Sequence, residues 1–80
     1  MQDELFAAAR RASGITCEDA GKTCGISRVT YSQRESSPKD FRLSELRSMY
    51  RALSETAKPI WMEAVGFFIC GEDYVKRNND

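Results

Sequence analysis

The stretch Thr16-Cys17-Glu18-Asp19-Ala20-Gly21-Lys22-Thr23-Cys24-Gly25-Ile26-Ser27 decides the fold of this chain. Thr16 is a hydroxyl residue placed to cap a helix start, and Asp19 three residues on makes a short-chain version of the capping box. Gly25 suits the sharp, left-handed stop of that helix. Ser27 is the cap of a second helix, and Ile26 between them is an apolar plug. Ala20 and Gly21 are small, so two helices joined by the three-residue turn Gly25-Ile26-Ser27 can approach closely at a steep angle. The stretch therefore predicts a helix over 17–23, a turn, and a helix over 28–35.

The same reasoning extends to both sides. Leu5, Phe6, Ala9 and Ala12 recur at helical spacing and predict a helix over 2–13, with Asp3 able to cap its start or favour its dipole. Gly14 stops it. Ser36-Ser37-Pro38-Lys39-Asp40 reads as a loop. Leu43, Leu46, Met49, Tyr50 and Leu53 form the apolar stripe of a fourth helix, beginning at Leu43 or Ser44 and ending at Leu53. A fifth begins near Pro59, a good first-turn residue, and runs to about Cys70 with room for an extension after Gly71. No period-two run is flanked by turn residues, so strands are not expected. The fold class is all-α, with five helices.

With 80 residues and 41% hydrophobic content, the chain suffices for a single domain with one small core. Residues 1–56 carry the helix pair, and residues 57–80 complete the same domain as a C-terminal helix. The chain has no histidine and three cysteines, Cys17, Cys24 and Cys70, without CxxC spacing. That spacing predicts neither a disulfide framework nor a zinc site, and the thiols are expected to be small packing residues. No nucleophile–base pair or glycine-rich phosphate loop occurs, so no enzymatic activity, cofactor or small-molecule ligand is expected. The start Met1-Gln2-Asp3-Glu4 lacks a basic leader, and the apolar run Ile60 to Cys70 is too short to span a bilayer. A soluble, cytoplasmic protein is expected.

Twelve basic and twelve acidic residues give zero net charge, which counts against strong binding to nucleic acid. The charges are unevenly placed, however. Residues 22–51 hold seven basic residues and three acids, a net of +4, whereas residues 55–80 have a net of −2. A basic middle with an acidic tail suits an anionic partner on one side.

Residues 5–53, about two-thirds of the chain, resemble the helix-turn-helix family of lambdoid phage repressors and Cro proteins, the Xre family. The matching residues are Arg10, Gly14-Ile15-Thr16, Glu18-Asp19-Ala20, Gly25-Ile26-Ser27-Arg28, Thr30-Tyr31 and Glu35, followed by Leu43, Leu46 and Leu53. The resemblance implies a five-helix repressor-like helix-turn-helix domain that binds double-stranded operator DNA as a dimer and regulates transcription. It places Arg28, Val29, Ser32 and Gln33 on the reading face, with Thr30 and Tyr31 turned inward or to the backbone. Arg28 can fork onto guanine, Val29 can meet a thymine methyl, and Gln33 can pair with adenine. Ser27, Thr16, Lys39 and Arg42 are then the expected backbone contacts. Arg10 and Glu35 match a structural ion pair of the family.

There are two departures. The glutamine usual at the start of the second helix is Cys17 here. The usual Leu-Ala pair is Ala20-Gly21, so Phe41, Tyr31 or an aromatic of the fifth helix is expected to fill the missing volume. In the fifth helix, apolar side chains cover about 220° of the circumference. Trp61, Val65 and Phe68 can fill one face, which leaves Met62, Ile69 or Phe67 over. A homodimer through Trp61, Met62, Val65, Phe67, Phe68 and Ile69 is therefore expected. The rival expectation is a protein-interaction module on the same fold, an antitoxin or adaptor, with weak or no DNA binding.

Overall fold

The computed structural model describes residues 2–71. Within them the chain is all-helical: α1 (Gln2–Ala12), α2 (Cys17–Cys24), α3 (Arg28–Ser36), α4 (Leu43–Ala52) and α5 (Lys58–Cys70), with one 3-10 turn at Pro38–Asp40. No strand occurs among the described residues. Helix ends differ from the sequence expectation by one residue or so. The main change is at 36–40, where Pro38 opens a 3-10 turn instead of a plain loop. The side-chain role expected of Asp3 and the extension of α5 beyond Gly71 lie outside the described residues.

Local chemistry accounts for the helix ends. The Thr16 hydroxyl accepts from the Asp19 N–H at 3.1 Å and the Ser27 hydroxyl from the Thr30 N–H at 3.0 Å. Each satisfies one of the amides that a helix start leaves unpaired. Gly25 sits at φ 74°, and the next amide, Ile26 N–H, donates back to Gly21 C=O at 2.8 Å. This is the back-bonded stop that a glycine makes possible.

Gly21 has a different task. A Cβ built there would lie 2.7 Å from the Ile26 carbonyl oxygen and 3.1 Å from Ser27 backbone atoms. The volume lacking at Gly21 is thus occupied by the backbone of the turn, not by an aromatic ring as the sequence suggested. The chain folds back onto α2 more closely than any side chain would allow.

The core is centred on Phe6, Tyr31, Met49 and Trp61, all fully buried, with Ala9, Ala20, Ala57 and Ala64 letting the helices approach. Phe41, on the segment between the 3-10 turn and α4, packs against three of these rings. Its centroid lies 5.2 Å from Phe6, 6.0 Å from Tyr31 and 5.9 Å from Trp61. Phe6 and Trp61 meet edge to face at 4.8 Å, a favoured aromatic geometry. The Trp61 indole N–H donates to Leu46 C=O at 3.2 Å, tying α5 to α4. α1 packs on α5, and α2 packs on α3 and α4.

Three expectations are corrected here. Trp61, expected at a dimer interface, is 1% exposed and belongs to the core of its own chain. Leu43, expected in the α4 stripe, is 80% exposed, because the first position of the helix lies off the face defined by Leu46, Met49 and Leu53. Cys70 is exposed and is not a packing residue, whereas Cys17 and Cys24 do pack against the core. No helix among the described residues is long and apolar enough to cross a membrane.

Candidate nucleic-acid interface

The capped start of α3 projects its first turn outward. Arg28, Val29, Ser32 and Gln33 are all exposed, and together with Cys17 at the start of α2 they line one shallow depression of about 230 Å³. The structure therefore brings together the four residues expected on a reading face, and adds Cys17 as the floor or wall beside them. Tyr31 points the other way and is fully buried, while Thr30 is half-buried with its hydroxyl bonded to Ser27 at 2.9 Å. Alternating faces of one short helix thus separate packing from presentation.

The expected backbone contacts are more dispersed. Thr16 and Ser27 are exposed and adjoin Cys17 and Arg28 in the chain, but both hydroxyls already serve as helix caps. Lys39, on the 3-10 turn, and Arg42, just before α4, are also exposed but lie outside the depression.

α3 is held in place by two ion pairs. The Arg10 guanidinium donates from Nε to Glu35 Oε2 at 2.7 Å and from Nη2 to Oε1 at 3.3 Å, and Nη1 donates to Ile15 C=O at 3.0 Å. One side chain thereby joins α1, the turn after it and α3. The hydrogen bond to Glu35 raises the Arg10 pKa against the opposing effect of burial. The second pair, Arg34 Nε to Glu45 Oε1 at 3.0 Å, links α3 to α4. Glu45 is 4% exposed, and the same carboxylate oxygen accepts the Arg42 N–H at 3.0 Å. The sequence reading missed this pair. The one available signal was a glutamate three residues into α4, where it can turn back onto the first amide.

These pairs change the charge balance of the surface. Of the three acids in residues 22–51, Glu35 and Glu45 are committed to arginines, and only Asp40 is exposed with no ion-pair partner among the described residues. Lys22, Arg28, Lys39, Arg42, Arg47 and Arg51 remain exposed. The exposed charge of this segment, six basic residues against one acid, is therefore +5, larger than the +4 counted from sequence.

One half-buried and one fully buried group complete the support. Cys24 Sγ lies 3.7 Å from Glu45 C=O, and burial, followed by the Glu45 charge, pushes its thiol up to about 11. It stays a protonated packing group at neutral pH. Burial and then the neighbouring Glu35 carboxylate push the Tyr31 phenol upward, and among the described residues its buried hydroxyl makes no hydrogen bond within 3.5 Å.

No protein-family model matches the chain, and neither does any curated protein or solved structure.

Proposed function

We propose that this chain is a sequence-specific binder of double-stranded DNA and a cytoplasmic transcriptional regulator, acting as a repressor, of the lambdoid repressor and Cro-like (Xre) helix-turn-helix kind. One observation carries this reading. Arg28, Val29, Ser32 and Gln33 share the exposed face of a capped helix whose other face is locked into the core. A helix with its side chains is about 10–12 Å across, the width of a major groove. The four side chains offer a bidentate donor for guanine, a methyl contact for thymine and an amide for adenine. The exposed charge of +5 in residues 22–51 supplies sequence-independent attraction.

The reading is tested by selecting bound sequences from a random duplex pool and titrating the selected site at two salt concentrations. Binding should weaken steeply with salt. Arg28→Ala should lose about 1–3 kcal/mol at the selected site and relax its preference, whereas Lys39→Ala should weaken all duplexes alike. Salt-independent or absent binding would instead favour a protein-interaction module. Zero net charge and the thiol of Cys17 in the depression speak for that second reading.

The regulator is proposed to act as a homodimer through the outer edge of α5. Met62 and Ile69 are 50% and 67% exposed, Phe68 lies at the margin, and Val65 is half-buried beneath them. Phe67, half-buried on the other side of the helix, was also expected there. An exposed apolar edge on a small protein is a candidate for a self-complementary contact about a two-fold axis. Size-exclusion chromatography with light scattering should give twice the chain mass at micromolar concentration. Met62→Glu with Ile69→Glu should return it to one chain mass, and a wild-type monomer would reject the dimer.

A further inference from the structure

α3 is bordered by two furrows, and Ser32 lines both. The first is the depression beside Cys17. The second, of about 500 Å³, runs between α1 and α3, with Glu4, Ala7, Ala8 and Arg11 on one wall and Ser32, Glu35 and Ser36 on the other. The reading helix is therefore a crest with a trough on either flank. We propose that the α1–α3 furrow is the track of one phosphate backbone when α3 lies in a major groove, with Arg11 meeting a phosphate and Glu4 opposing it. This rests on the reading of α3 as the DNA-contacting helix.

Three features of the furrow support the assignment. A helix that fills a major groove has a phosphate ridge along each flank, so a body that admits it needs relief on both sides. The middle of the α1 wall is Ala7 and Ala8, which hold no long side chain in the way of a backbone. The acid on the α3 wall, Glu35, is already neutralised by Arg10, and a neutralised carboxylate no longer repels an incoming phosphate.

Arg11 is exposed in the last turn of α1 and has no carboxylate partner among the described residues. Its fork of donors is suited to phosphate oxygens. Glu4 is exposed at the other end of the same wall, about two helical turns or 10 Å away. The two side chains thus present opposite charges to one strand. Their removal has opposite consequences for binding and none for base preference.

The test is a salt titration of duplex binding by the full chain, comparing wild type with Arg11→Gln, Glu4→Gln and Arg28→Ala, on the selected site and on a mixed-sequence duplex. Arg11→Gln should weaken both duplexes alike and flatten the slope of log affinity against log salt by about 0.9 per protomer. Its deficit should therefore shrink about 3.5-fold per protomer between about 50 and 200 mM salt. Glu4→Gln should tighten both duplexes. Both positions are exposed, so thermal unfolding should shift only by the small contribution that a charge at a helix end makes. If Arg28→Ala loses sequence preference while the Arg11 and Glu4 variants titrate like wild type, the furrow carries no phosphate and the DNA reading survives. A change in base preference on Arg11→Gln would also overturn the phosphate role. If wild type shows no salt-dependent binding, both fall together.

Discussion

Trp61→Ala should remove a third or more of the stability of the domain. The indole is 1% exposed, meets Phe6 and Phe41, and donates to Leu46 C=O. Truncating a buried tryptophan costs about 3–5 kcal/mol through lost burial and the cavity left behind. A domain of this size has about 4–12 kcal/mol in total. The measurement is urea unfolding followed by far-ultraviolet circular dichroism. It also discriminates between core and interface. If Trp61 acts within its own chain, the loss is the same at every protein concentration. A loss that grows on dilution, or one below about 1 kcal/mol, would return this residue to a subunit contact. Trp61→Phe should fall between, since it keeps most of the ring contact but loses the indole N–H bond to Leu46 C=O.

The second large effect is expected from Arg10→Ala. Three hydrogen bonds are lost at once, two to Glu35 and one to Ile15 C=O. The Glu35 side chain, 11% exposed, is left as an uncompensated charge against the core. Breaking one side of a buried pair costs about 3–5 kcal/mol, whereas replacing both partners by apolar groups is often close to neutral. Arg10→Met combined with Glu35→Leu should therefore recover most of what Arg10→Ala loses. A double-mutant cycle with chemical denaturation measures the coupling. If the losses of Arg10→Met and Glu35→Leu simply add in the double variant, the pair is not coupled.

The course of the chain from Thr16 to Ser36 was legible because its signals are local. A hydroxyl cap, a glycine with positive φ and a second cap act on amides within a few residues. Arg10 and Glu35 were found by a resemblance, not by spacing, since nothing local joins residues 25 positions apart. The orientation of α5 was not legible. Its apolar residues extend too far around the helix for periodicity to say which face turns inward, so Trp61 was assigned both to the core face, where it lies, and to a dimer seam, where it does not. Leu43 failed for a related reason: an apolar residue at the first position of α4 widened the stripe beyond the face that Leu46, Met49 and Leu53 turn inward. The α3–α4 tie between Arg34 and Glu45 depends on how the 3-10 turn redirects the chain, which no pattern of residue types encodes. The exposure of Arg28, Val29, Ser32 and Gln33 on the proposed reading face was anticipated, but the depression they share with Cys17 required the packing of α2 on α3.

The contact at Gly21 has a mechanical consequence. Where backbone rests directly on backbone there is no rotamer to flip and no side chain to compress. A contact of this kind restricts the tilt of α3 against α2 more tightly than side-chain packing would. If α3 reads DNA as proposed, control over it would have to come from outside the pair, by changing how far apart the copies of the proposed dimer hold their crests or by covering them.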